Sequence, residues 1–235
     1  DEDGRILDVH VLDPDAGLLS LASDLWSNIR VRGTERLISP AIKINAQREM
    51  LAAGMVKDAG VRTPRPLALS DAGTSVAVFW EPLPPTIPLL RLRDEGYDIS
   101  DDTLDQAWSQ LKRAHGRDVC HRNLDVDALT LDQEFNLWML NWNQSDMGSN
   151  DISQRIDCAQ MLVHLALATS IDRAIASAQR EIGTPELLAT ALVLQSVVLP
   201  AGLRTRARKD KIIDSLRDRL SEITPASPVS EPIKL

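Results

Sequence analysis

The sequence predicts an α+β protein in two unequal parts: a small strand-bearing first part and a mainly helical second part. Three observations carry this. Apolar residues alternate in short runs up to Trp80, then recur at helical spacing beyond Asp101. Between these regions, Glu81-Pro82-Leu83-Pro84-Pro85 suits neither a helix interior nor a central strand. The 235 residues, 43% hydrophobic and 26% charged, suffice for one large domain or two small lobes. The Pro-rich joint then divides the chain into a first lobe at 1–82, a helical lobe at 83–223 and a Pro/Ser-rich tail at 224–235.

Residues 5–12 hold Ile6, Val9 and Val11 in partial alternation, which predicts a strand broken by Asp13-Pro14-Asp15. From Ala16 to Arg32, Leu18, Leu21, Leu25 and Ile29 share one helix face, with Trp26 beside it and Gly33 as the stop. Ser39-Pro40 reads as a cap and a first-turn proline. That helix runs to about Asp58, with Ile42, Met50, Leu51 and Met55 inward and Gly60 closing it. Thr63-Pro64 and Pro66 fix an extended entry. Pro66–Leu69 and Ser75–Trp80 flank Asp71-Ala72-Gly73 as a hairpin.

Beyond the joint, Asp101 or Asp102 caps a helix through Leu104, Ala107, Trp108, Leu111 and His115. Residues 117–125 form a loop. Ala128–Leu131 and Asn136–Leu140 form a second hairpin around Asp132-Gln133-Glu134, and a polar loop covers 141–150. Asp151 or Ser153 opens a long helix through Ile156, Met161, Leu162, Leu165 and Ala168. Ile171–Ile182 is another helix, stopped by Gly183. Thr184-Pro185-Glu186 starts a helix to about Val198, and a last one covers roughly Leu203–Ile223.

A net charge of −8 disfavours a general nucleic-acid binder, because phosphate backbones are repelled. Cys120 and Cys158 cannot build a disulfide scaffold and suit a reducing compartment. Cys120-His121 are adjacent and Cys158 and His164 are six apart, so no metal site is expected. No run of 18 apolar residues exists. The start at Asp1 and the proline-rich tail read as the cut ends of a larger protein.

The informative stretch is Leu111–Asn143. A helix ends near His115, Cys120-His121-Arg122-Asn123-Leu124 follows, and a hairpin leads into Asn141-Trp142-Asn143. This order resembles the catalytic core of the protein-kinase-like superfamily, which includes the aminoglycoside phosphotransferases. In that family a His-Arg-Asp loop supplies the acid that orients the attacking hydroxyl. An Asn five positions later and an Asp-Phe-Gly supply the magnesium ligands.

The resemblance implies an acid at Asn123, a metal-binding amide at Ala128 and a metal carboxylate at Asn141. It places the phosphate-pairing lysine at His10 and its acidic partner at Glu49. Glu81 and Leu83 fall on the hinge whose backbone meets adenine. Asp157 falls on the acid that braces the catalytic loop from a long helix, and His121 on the structural histidine. Read from the residues alone, His10 on an alternating strand is better taken as a packed core histidine than a functional one, and Glu49 has the alternative of a solvent-facing helix acid. The Gly-rich loop would precede this strand, where only Gly4 stands, so the loop is absent or was cut away.

Architectural positions survive and chemical ones do not. The expectation is therefore a pseudokinase, with a truncated first lobe and a regulatory or binding role. No cofactor is expected, and ATP with magnesium enters only where residual nucleotide binding survives. The alternative is an atypical phosphotransferase using the displaced acids Asp125 or Asp127. Trp80, Trp108, Trp138 and Trp142 are expected in the core and between lobes, with Trp142 and Met139 as fillers of the nucleotide space.

Leu18–Arg32 and Ala59-Gly60-Val61-Arg62-Thr63-Pro64 also resemble the cytosolic kinase-like region of actinobacterial membrane proteins. In those proteins it is joined to a transmembrane part similar to lysylphosphatidylglycerol synthase. That implies a soluble domain at the cytoplasmic face of a membrane. Its partners would be its own membrane region or another protein. Arg204, Arg206, Arg208, Lys209 and Lys211 form the one basic cluster, either a solvated helix face or a surface for anionic lipid.

Overall fold

A computed structural model describes residues 7–12, 40–71, 76–148 and 150–223. The helix expected at 16–32, Gly4, the turn at 72–75 and the tail at 224–235 lie outside the described residues. The fold is α+β, mostly helical, with three small sheets among the described residues.

The first sheet has the order β1-β3-β2, from β1 (Asp8–Leu12), β2 (Pro66–Asp71) and β3 (Val76–Trp80), all antiparallel. β3 is central and alternates, burying Val76, Val78 and Trp80. Helix α1 (Pro40–Asp58) packs on β2 and β3. It buries Ala46, Ala52, Ala53 and Val56, with Met50 and Met55 half-buried. Leu51, expected inward, is 56% exposed. The small residues set the contact face, because they let the helix backbone approach the sheet closely. Gly60, at φ +86°, ends the helix in a conformation that favours glycine.

Past the prolines, β4 (Thr86–Pro88) and α2 (Leu89–Asp94) stand where no element was predicted. They are too short to show a period. β4 joins the second hairpin, β6 (Leu129–Asp132) and β7 (Leu137–Met139), in the order β4-β6-β7. A two-residue pairing links β5 (Val119–Cys120) to β8 (Asp146–Met147).

The helical part is built around α4 (Asp151–Ala168), which packs against α2, α3 (Asp101–His115), α5 (Ile171–Glu181), α6 (Gly183–Ala191), α7 (Ala201–Lys209) and α8 (Ile212–Ile223). Met161, Leu162, Val163 and Leu165 are all fully buried, so α4 is apolar on more than one face, as a central helix must be. α3 instead buries one stripe, Leu104, Ala107, Trp108, Leu111 and Ala114.

Several helix ends differ from expectation. Ser100, not Asp101 or Asp102, caps α3, its Oγ accepting from Thr103 N at 3.2 Å. Asn150, not Asp151 or Ser153, caps α4, its Oδ1 accepting from Ser153 N at 2.9 Å. Each true cap lies immediately before the helix, where its side chain can reach back to the exposed amides. α6 begins at Gly183 without a side-chain cap and ends at Ala191, and a 3-10 turn at Ser196–Val198 follows. The last helix is broken into α7 and α8 at Asp210 and Lys211, where Lys211 takes φ +53°.

The start of α7 explains one residue sharply. A Cβ on Gly202 would lie 2.5 Å from Asp125 Oδ1 and 3.1 Å from Val126 Cγ1. Gly202→Ala must push Asp125 away from the amides it holds. Stability is expected to fall by about 1–2 kcal/mol, read by urea denaturation.

Candidate functional site

The loop at 121–124 is held from below by α4. Asp157, fully buried, accepts hydrogen bonds from His121 N and Arg122 N, each at 2.7 Å, through its two oxygens. His115 Nε2, at the end of α3, meets Asp157 Oδ2 at 3.1 Å. Gln160, one turn along, accepts from Leu124 N at 3.0 Å and donates to Arg122 O at 3.3 Å and Val198 O at 2.7 Å. Asp157 and Gln160 are three apart, so they share a helix face and grip the same loop. Arg122 itself sits at φ 66°. These bonds offset a conformation that a non-glycine residue rarely adopts.

His121 is fully buried. Asn123 N donates to its Nδ1 at 3.3 Å, so the ring proton is on Nε2, which donates to Leu140 O at 2.7 Å. Burial pushes its pKa below the usual histidine value, against the Asp157 charge, so the ring is neutral. Trp142 lies against it, ring centroids 4.5 Å apart and tilted by 53°. Trp142 is buried, and its indole donates to Met139 O at 3.2 Å. Met139 is fully buried, and the 142–144 turn packs on α1. Apolar side chains therefore fill the space between α1 and the loop.

The positions to which the sequence resemblance assigns phosphoryl transfer lie close to this frame. Asn123 and Asn141 are half-buried, and their side chains form no hydrogen bond among the described residues. Asn141 takes φ 68° and ψ 53°, a left-handed conformation that asparagine tolerates. Ala128 is fully buried; its backbone accepts from Leu140 N at 2.9 Å. Asp125 is committed elsewhere: Oδ1 accepts from Leu203 N at 2.7 Å and Oδ2 from Gly202 N at 3.2 Å. It thereby caps α7. Asp127 is exposed, and its charge acts on His121.

The residues expected in the first lobe do not converge in the same way. His10 is exposed rather than packed in the core, its ring 5.9 Å from that of Trp80. It lies on β1, an edge strand of the first sheet among the described residues. Glu49 is half-buried, and burial raises its pKa. Among the described residues no hydrogen bond or ion pair joins it to His10. Glu81 pairs with Lys57 of α1 at 3.5 Å and with Arg65. In the 81–85 segment only Glu81 and Leu83 carry a backbone N–H, since the rest are prolines. Both are used: Glu81 N donates to Arg65 O at 2.8 Å, and Leu83 N to Asp8 Oδ2 at 2.9 Å.

Of the four tryptophans expected inside, Trp80, Trp108 and Trp142 are buried, and Trp138 is half-buried with its indole on Asp132 Oδ2 at 3.0 Å. His115 and Gln160 went unread in the sequence. The three-residue spacing from Asp157 to Gln160 was the available signal for the latter. His115, Cys120 and Asp157 present ligand atoms within 4.8 Å of one another. Sequence adjacency could not reveal this grouping, because it joins three elements. Asp157 is nevertheless spent on three donors there. Cys158 lies outside this grouping; burial pushes its thiol up to about 12, so it is no ready thiolate.

A second buried histidine, His164 on α4, has its pKa lowered to about 4 by burial. The unfolded chain protonates this group first, near its ordinary value. His121 is shifted in the same direction. Stability is therefore full above about pH 6.5 and falls as pH drops toward 4, by about 3 kcal/mol for His164 alone. Urea midpoints between pH 7 and about 4 check this.

No described protein family and no curated protein matches the sequence. Among solved structures the chain is similar to monomeric WbdD, at 17% identity and a TM-score of 0.40. The overlap covers 46% of this chain and 26% of that one, so the chain spans about a quarter of the solved structure. That likeness assigns no chemistry to this chain.

No helix among the described residues is long and apolar enough to cross a membrane.

Proposed function

We propose that this chain is a two-lobed, kinase-like domain that has lost phosphoryl transfer and serves as a regulatory or binding module. The carrying observation is the split between frame and chemistry. The 121–124 loop keeps every brace from Asp157 and Gln160, while Asn123, Ala128 and Asn141 offer no carboxylate. Neutral amides can touch magnesium but cannot supply the charge that holds it against phosphates.

Two further contacts favour this reading. The Leu83 amide, which a purine would need, already donates to Asp8. Trp142 and Met139 fill the region beside the loop. The expected result is no thermal shift with Mg-ATP and no phosphate release. A shift of several degrees, with release abolished in Asn141→Ala, overturns it.

The alternative is an atypical phosphotransferase. With Asp125 engaged at α7, Asp127 is the acid left to serve it. Turnover that is lost in Asp127→Asn would favour that enzyme. The same proposal places the domain at the cytoplasmic face of a membrane, as part of a larger membrane protein. Its basic end, Arg204 to Lys211, would face anionic headgroups.

A further inference from the structure

A cavity of about 580 Å³ lies between α2 and α7, lined by Arg93, Asp94, Leu167, Arg206, Lys209 and Asp210. Arg206 is clamped on Asp94 by two bonds, at 2.7 and 3.1 Å. The side chains of Arg93 and Lys209 make no hydrogen bond or ion pair among the described residues. They come from different elements and border the same space.

Cations at the last turn of a helix are ordinary, because they complement the helix dipole. That accounts for Arg91, which meets Glu95 at 2.9 Å. Arg93 and Lys209 also stand in the last turns of α2 and α7, but neither has an ion-pair partner among the described residues, and both border one space in a chain of net charge −8. Asp94 registers both: its carboxyl lies below the usual range, first through the Arg206 bond and, despite some burial, through the charges of Arg206, Lys209 and Arg93. One carboxylate is shared by three cations, and Asp210 is the only other acid on the wall.

The geometry points to a phosphate-type anion site in this cavity, with Arg93 and Lys209 as the ligand-binding cations and Arg206 as the fixed wall. A guanidinium takes two phosphate oxygens side by side, and an ammonium adds a point charge. The volume exceeds one phosphate, so a phosphate ester with a small attached group fits. A soluble ester and a lipid headgroup share that chemistry. The inference rests on reading the basic end as anion-facing, and narrows it to two residues.

The test compares Arg93→Ala/Lys209→Ala with Arg208→Ala/Lys211→Ala, which removes the same charge outside the cavity lining. Thermal melting first establishes that both variants fold. Binding of glycerol 3-phosphate is titrated by calorimetry, and binding to phosphatidylglycerol vesicles, against phosphatidylcholine, by co-sedimentation. The expected result is a loss of about tenfold or more in the cavity variant and less than about twofold in the other. If this pattern appears with the ester, the ligand is a soluble phosphate; if with vesicles alone, it is a headgroup. Equal losses overturn the cavity site and leave a diffuse basic face. No binding of either probe by the wild type overturns both readings.

Discussion

Asp157→Ala is expected to lower stability by about 3–5 kcal/mol, a large share of what a domain of this size holds. The carboxylate is fully buried and accepts from His121 N, Arg122 N and His115 Nε2. Removing it takes from the His121 and Arg122 amides the acceptor each uses, the first of them on a fully buried residue. Arg122, at φ 66°, then loses a contact that fixes its turn. Asp157→Asn keeps an acceptor but turns an NH₂ toward donors, so about half the loss is expected. Urea denaturation reads both values, and hydrogen exchange at the His121 and Arg122 amides should quicken. Wild-type stability in Asp157→Ala would show that the loop holds itself.

Trp142→Ala is the second large effect, at about 3–5 kcal/mol. The indole is buried, lies on the His121 ring and donates to Met139 O. Its loss opens a void that its neighbours, held by α1 and the hairpin, cannot close. Water reaching His121 would weaken the burial that lowers its pKa. That pKa should rise toward the usual histidine value, observable by NMR titration of the ring. An unchanged His121 titration would mean that Trp142 does not shield it.

The positions of these two residues were legible to different degrees. Asp157 was placed by the resemblance to the kinase-like catalytic core, in which an acid on a long helix braces the loop. Trp142 was placed in the core by size and by its seat beyond a hairpin. Its contact with His121 depends on how the turn at 142–144 folds back, and side-chain type does not encode that. Leu51 shows the same limit: its hydrophobicity pointed inward, but the alanines of α1 face the sheet.

Asp125 marks the boundary most clearly. In the sequence it stands two residues from Asn123 and reads as a rescuing acid. In the fold it caps a helix that begins 76 residues later, at Ala201. Local spacing cannot anticipate a partner so distant along the chain.

The sequence by itself determined the α+β class, most of the helices and the neutral amide side chains at 123 and 141. These follow from periodicity, backbone restriction and residue chemistry, which act locally. Only the tertiary structure decided which polar groups are spent. Leu83 on Asp8, Asp125 on α7, His115 beside Cys120 and Asp157, and Arg93 across from Lys209 all join distant segments. Their roles depend on packing the whole chain, because a buried donor or charge takes its meaning from what satisfies it.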